Sequence, residues 1–232
     1  MGTMAEIATL EGDQSFNAYV AEPGSPPKAS IIVIQEIFGV NLGIRQKCDK
    51  LAADGYLAVA PDLFWRLQPG VELDPDVEAE FQQALYLMGK FNQDLGIRDI
   101  EATIHYIRRE RGVPKVGAVG YCLGGRLAFM TAARTDVDAS VGYYGVGIEE
   151  LLGEKHAISN PLMLHIPTED GFVDKDTQKA MHEGLDDHPR VTLHDYVGLD
   201  HGFATEHGKR RDEEAATIAD GRTAAFFEGH LG

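Results

Sequence analysis

Gly120-Tyr121-Cys122-Leu123-Gly124-Gly125 has the glycine–x–nucleophile–x–glycine spacing of a nucleophile elbow, with cysteine where serine is usual. An elbow forces its central residue into a strained turn between a strand and a helix, and the flanking glycines leave the room that turn needs. Both flanks fit. Lys115 to Val119 reads as a short buried strand, and Arg126 to Ala133 reads as a helix. A thiol placed there sits at a helix N-terminus, where backbone N–H groups favour the thiolate. The same six residues also suit a plain buried cysteine in a glycine-rich turn, because free cysteine packs as a small hydrophobe. The rest of the chain has to decide between the two.

Outward from the elbow, short β-rich runs alternate with helical patterns. Ser30 to Ile34 is a fully apolar strand. Asn41 caps a helix that runs to about Asp54 and stops at Gly55. Leu57 to Ala60 is the next strand, closed by Pro61-Asp62, and Val77–Lys90 and Leu95–Arg109 are amphipathic helices. After the elbow come strands over Ala139–Tyr143, Leu162–Ile166 and Val191–Tyr196, then a helix over Asp212–Phe227. Strands separated by helices predict an α/β fold with a mostly parallel central sheet covered on both faces. Residues 5–20 add an antiparallel hairpin at one edge. Gln68 to Pro75 is an irregular insertion of the kind that lines sites. With no repeat and no linker visible, a single domain over residues 4–232 is expected, with Met1 to Thr3 set aside as added residues ahead of a natural start at Met4.

The chain has 232 residues, 44% hydrophobic and 25% charged, enough for a sizeable core. Its formal net charge of −16 excludes nucleic acid and anionic membrane surfaces as natural partners. Two cysteines, Cys48 and Cys122, argue against a disulfide scaffold and for a reducing, cytoplasmic setting. The N-terminus carries no signal-peptide core and no myristoylation pattern, and no apolar run reaches the ~20 residues of a membrane span.

A nucleophilic thiol needs a base, and the base needs an acid to orient it. In hydrolases with this elbow the order is nucleophile, acid, histidine, each on a loop after a strand. Asp170 follows the strand ending at Ile166, in Pro167-Thr168-Glu169-Asp170-Gly171. His201 follows the strand ending near Tyr196, in Gly198-Leu199-Asp200-His201-Gly202-Phe203. Glu169 and Asp174 are rival acids, and Asp170 could equally be a turn-former beside Gly171. Cys48, mid-helix between Lys47 and Asp49, reads as a packing residue.

With these three residues placed, the chain closely resembles the dienelactone hydrolase family of α/β-hydrolases. The likeness rests on Gln35-Glu36-Ile37-Phe38-Gly39-Val40-Asn41, on Gly55-Tyr56 through Leu63, on Gly120 to Gly125, on Val141 to Gly147, and on the Asp170 and His201 loops. The resemblance implies an α/β-hydrolase fold and a hydrolase that cleaves a carboxylic ester or lactone through a Cys-His-Asp triad, without metal or cofactor. It implies that Glu36 lies beside a resting, protonated thiol and moves on substrate binding to take the proton. It implies an oxyanion hole from the backbone N–H groups of Ile37 and Leu123. It further implies a substrate pocket from Phe38, Phe81, Leu85, Met88, Tyr144, Phe172, Gly202, Phe203 and Thr205.

That pocket departs from the family pattern. Two arginines that hold the substrate carboxylate in the best-known members correspond to Phe81 and Thr205. The serine after the histidine is Gly202, and tyrosine and tryptophan positions become Leu85 and Met88. A site that loses two guanidinium groups and gains apolar side chains should not favour the small anionic lactone. Arg45 and Arg66 are the cations left to supply positive charge, or are plain structural arginines. Two other readings stay open at this point: a glutamine amidotransferase-like cysteine hydrolase, and a non-catalytic or regulatory binding protein on a hydrolase fold. Against the first, Phe203 stands two residues after His201, where those enzymes carry glutamate. The expected partner is a small-molecule ester or lactone, and the expected state is a monomer or weak dimer.

Overall fold

The structure, a computed structural model, describes residues 2–206 and 208–232. The chain forms two compact units. One comprises Met1–Gly117 with Glu206–Lys209; the other comprises Ala118–Thr205 with Arg210–Gly232.

In the first unit β1 (Thr3–Ala8) and β2 (Ser15–Ala21) form the antiparallel hairpin expected from the sequence. β1 begins at Thr3, inside the residues the sequence reading set aside, and pairs it with Val20. β2 pairs antiparallel with β4 (Leu57–Pro61), and β4 pairs parallel with β3 (Ser30–Ile34), in the order β1-β2-β4-β3. β3 and β4 are buried along their whole length, as the apolar runs Ile31–Ile34 and Leu57–Pro61 require, and the Ser30 hydroxyl is satisfied by the Leu57 carbonyl at 2.7 Å. Helix α1 (Leu42–Ala53) starts where Asn41 Oδ1 accepts from the Ile44 N–H at 3.2 Å, and Gly55 follows it at φ 94°. Helices α2 (Glu78–Lys90) and α3 (Gln93–Glu110) follow the expected amphipathic spans. Asn92 caps α3 through the Leu95 N–H at 3.1 Å.

The second unit takes up β5 (Val116–Tyr121) from Ala118 onward, followed by β6 (Ala139–Tyr143), β7 (Leu162–Pro167) and β8 (Val191–Tyr196) in that order. β7 runs parallel to both β6 and β8. Helix α4 (Leu123–Arg134) follows β5 after one residue, so the elbow is as tight as its glycines imply. Two elements go beyond the sequence reading: a 3₁₀ segment over Ile148–Ala157 and helix α5 (Lys175–Leu185). Helix α6 (Glu213–Leu231) runs four residues past its expected end. A buried polar chain fastens it to the sheet. Tyr143 Oη meets Asp220 at 3.0 Å and Thr223 at 2.6 Å, and His165 bridges Thr223 at 2.9 Å and Tyr196 Oη at 2.7 Å. Among the described residues no helix is long and apolar enough to cross a membrane.

Candidate active site

Cys122 sits between β5 and α4 at φ 57°, ψ −115°, a conformation that side-chain-bearing residues rarely hold. The surroundings enforce it. Its N–H donates to the Tyr143 carbonyl at 3.1 Å, and its own carbonyl accepts from Gly125 at 2.9 Å and Arg126 at 3.2 Å. A Cβ at Gly120 would stand 1.9 Å from the Gly124 carbonyl oxygen, and one at Gly125 would stand 2.4 Å from the Tyr143 oxygen. No other residue fits either position without moving backbone. The elbow therefore holds a half-buried thiol at the first turn of α4, whose leading residue Leu123 is itself buried.

The loops after β7 and β8 are laced together. Thr168 N–H donates to the Tyr196 carbonyl at 3.0 Å and Glu169 N–H to the Leu199 carbonyl at 2.9 Å. Asp200 Oδ1 accepts from the Gly171 N–H at 2.9 Å and the His201 N–H at 2.6 Å. This lacing brings Asp170 and His201, 31 residues apart, into contact: Asp170 Oδ2 lies 3.0 Å from His201 Nδ1. The other oxygen, Oδ1, accepts from the Phe172 N–H at 2.8 Å, which fixes the carboxylate. Both side chains are buried. Burial alone would depress the imidazole's proton affinity. Hydrogen bonds and charge interactions with Asp170 and Cys122 outweigh it and push His201 up to about 10. Tyr144, at φ 38°, packs edge-on to the imidazole at 5.0 Å, and Phe172 does so at 4.8 Å.

The rival acids are engaged elsewhere. Glu169 pairs with Lys175 at 2.8 Å, and Asp174 caps α5 through the Thr177 N–H at 2.8 Å. Asp200, which the sequence reading left unassigned, holds the loop backbone. Its carboxyl lies below the usual range: burial opposes this, but the N–H groups of Gly171 and His201 and the nearby Arg210 charge prevail. A carboxylate immediately before the histidine was the available signal, since aspartate habitually accepts from nearby backbone N–H groups.

In the second unit's share of the expected pocket, Phe172 is 52% exposed and Thr205 is half-buried. Phe203 is 1% exposed, its ring against Tyr144 and Tyr196, so it is a core residue rather than an open pocket wall. In the first unit Glu36 is half-buried and its backbone bridges Gly39. Ile37 and Phe38 are buried. Gly39, at φ 75°, meets the insertion so closely that a Cβ would stand 1.9 Å from the Val71 carbonyl oxygen. Leu73 N–H donates to the Phe38 carbonyl at 2.9 Å, so the irregular 68–75 segment braces this loop. Phe81 faces Phe38 at 6.0 Å, Leu85 is half-buried, and Met88 is 40% exposed.

The two arginines held in reserve for substrate charge are already committed. Arg45 forms a two-bond fork with Glu72 at 2.5 and 2.6 Å. Arg66 clasps the buried Asp99 through both terminal nitrogens and stacks on Trp65 at 4.2 Å. Both read as structural, because a planar guanidinium satisfied bidentately has little left to offer a ligand. Cys48 is fully buried, and burial pushes its thiol well up, which makes it inert. Among the described residues, no group of three or more His, Cys, Asp or Glu side chains is arranged to hold a metal ion.

Residues 16–231 match the dienelactone hydrolase family profile. A protein of Azospirillum brasilense assigned as a carboxymethylenebutenolidase is 45% identical over 231 residues, covering 99% of this chain and all of its own. The carboxymethylenebutenolidase of Pseudomonas putida is 39% identical, covering 95% of this chain and 94% of its own. A crystal structure from Klebsiella pneumoniae subsp. pneumoniae MGH 78578, assigned as a dienelactone hydrolase, superposes with a TM-score of 0.83 at 27% identity, covering 98% of this chain and 99% of that one. The architecture is accordingly that of an α/β-hydrolase, and the chain belongs to the dienelactone hydrolase family.

Proposed function

We propose that the chain is a carboxylic ester or lactone hydrolase, one cytoplasmic α/β-hydrolase domain, monomeric or weakly dimeric, that works through Cys122, His201 and Asp170. The observation that carries this reading is the contact of Asp170 with His201 at 3.0 Å, in the unit that also holds Cys122 in a strained elbow. Two committed loops and two obligatory glycines are more than a buried structural cysteine needs.

In the proposed reaction Cys122 Sγ attacks the substrate carbonyl carbon, and its proton ends on His201 Nε2. Asp170 keeps Nδ1 protonated, so that Nε2 is the face offered to the thiol, and it stabilises the imidazolium. The Leu123 N–H, at the positive end of α4, and the Ile37 N–H are assigned to the developing oxyanion, where one donor is typically worth ~10²–10³ in rate. His201 then protonates the leaving oxygen, and water activated by the neutral imidazole releases the acyl group. Glu36 is assigned the first removal of the thiol proton, which it then passes to His201 Nε2, so that a single proton travels from the thiol to the leaving oxygen.

Substrates other than the family's usual lactone are proposed: the resemblance matches Phe81 and Thr205 to the positions that grip its carboxylate, and Arg45 and Arg66 are engaged elsewhere. Iodoacetamide should label Cys122 and abolish hydrolysis of an aryl ester in step with labelling, while Cys48→Ala stays active. Full activity in Cys122→Ala would sink the reading.

A further inference from the structure

Among the described residues Arg210 forms no close ion pair, although its charge also favours the Asp200 carboxylate. The Arg210 guanidinium lies over the Phe172 ring, 5.6 Å from its centroid, and Phe172 is itself edge-on to the catalytic imidazole at 4.8 Å. Arg210 Nη1 reaches the His201 carbonyl oxygen at only 3.5 Å, the limit of a hydrogen bond. Gly202 makes this placement feasible: a Cβ there would stand 3.2 Å from Arg210 Cδ. Among the described residues no carboxylate pairs with Arg210 within 4.0 Å. Its neighbour Arg211 is taken by Glu213 at 2.6 Å, and nearby Asp200 spends its Oδ1 on two backbone N–H groups. In a chain with 37 acidic residues, an arginine parked on an aromatic face rather than on an acid is available to an incoming anion.

His201 delivers its proton to the leaving oxygen, so groups beyond the imidazole face the leaving half of the substrate. Phe172, 52% exposed, offers that half a flat apolar surface, and Arg210 stands over its ring. We infer that Arg210 and Phe172 form a leaving-group subsite for planar, aryl-type esters that carry a carboxylate remote from the scissile bond. This deepens the hydrolase reading and rests on it. The site differs from the family's two arginine positions, which here hold Phe81 and Thr205. The guanidinium carbon lies 5.6 Å from the Phe172 centroid and that ring lies 4.8 Å from the imidazole, so the carboxylate assigned to Arg210 is one held across an arene from the ester oxygen.

The test compares 4-carboxyphenyl acetate with its neutral methyl ester, 4-(methoxycarbonyl)phenyl acetate, on wild type, Arg210→Gln and Arg210→Lys. The ratio of kcat/KM for anionic over neutral substrate should fall about fivefold in Arg210→Gln, the size of a partly exposed charge pair. Arg210→Lys should recover part of it, and raising the salt should compress the wild-type ratio. An unchanged ratio in Arg210→Gln overturns the inference. A parallel titration with the unreactive amide 4-acetamidobenzoate, against neutral 4-acetamidobenzamide, needs no turnover. If wild type hydrolyses neither ester, the triad reading fails, and the charge preference in this titration still decides the fate of Arg210. Equal preference in wild type and Arg210→Gln there rejects it.

Discussion

Asp170→Asn isolates the step on which the hydrolase reading depends. The substituted side chain keeps its size and, through its carbonyl oxygen, can keep the 2.8 Å bond from the Phe172 N–H that Asp170 Oδ1 accepts. Satisfying that bond turns the new NH₂ toward His201 Nδ1, at the 3.0 Å contact. A donor now faces Nδ1, which must become an acceptor, and the ring proton moves to Nε2. Nε2–H cannot take a proton from Cys122. The hydrogen bond lost is charge-assisted and buried, worth about 1.5–3 kcal/mol by itself. The wrong tautomer adds to this, so kcat should drop by on the order of 10³–10⁴. The imidazole should also lose the carboxylate's support and titrate well below the value of about 10 it holds in the native site. The assay is kcat for an aryl ester, with ¹H–¹⁵N spectra of the imidazole and a melting curve to show that the fold survives. A folded Asp170→Asn enzyme retaining a tenth of wild-type kcat would refute this chain of reasoning. So would an equal loss in Asp174→Asn, whose carboxylate only caps α5.

Other outcomes follow from the same geometry. Gly120→Ala should cost about 3 kcal/mol or more, or prevent folding, because its Cβ would stand 1.9 Å from a backbone oxygen; expression and Tm report it. Glu206→Gln should destabilise by about 3 kcal/mol, since it leaves buried Lys47 without the counter-charge it meets at 3.0 Å; urea titration measures the loss. Lys47 and Lys50 hold the Glu206 carboxyl below its ordinary value despite its burial, so its contribution is whole above pH 4.5 and vanishes as pH falls through the lowered value. Tm against pH should therefore flatten on the acid side in Glu206→Gln. The raised His201 value acts in the opposite sense. Its stabilising contribution is full below pH 6.5 and fades as pH climbs toward about 10, and Cys122→Ala should shrink that alkaline slope. For substrate choice, kcat/KM for dienelactone should fall below that for a neutral aryl ester of similar size; a tenfold advantage for dienelactone would mean that other residues rebuild its carboxylate grip.

Residues whose role is fixed by local backbone were legible in the sequence. The elbow glycines, the Asn41 cap and the apolar runs of β3 and β4 each dictate their structure within a few positions. So did the loops carrying Asp170 and His201, because both must follow a strand. Helix α5 escaped notice because its sequence is mostly polar, and its buried face is made of only Gln178, Met181 and Leu185. The fate of the arginines was out of reach for another reason. Arg45 finds its acid 27 residues away and Arg66 finds its own 33 away, and no spacing rule encodes such pairs. Arg210 lies outside every motif, and its place over Phe172 emerges only when two distant loops meet.

The strained turn at Cys122 has a consequence for experiments on folding. In an unfolded chain both thiols are ordinary and equally open to alkylation. In the native protein Cys48 is sealed, while Cys122 is half-exposed, held at φ 57° and placed beside a proton-hungry imidazole. The ratio of labelling at the two cysteines is thus an internal gauge of how much of a sample is native, read by mass spectrometry without any substrate. On the proposed triad, native protein should label at one site and denatured protein at both, and a chain whose core has closed before its histidine loop has docked should protect Cys48 while leaving Cys122 sluggish.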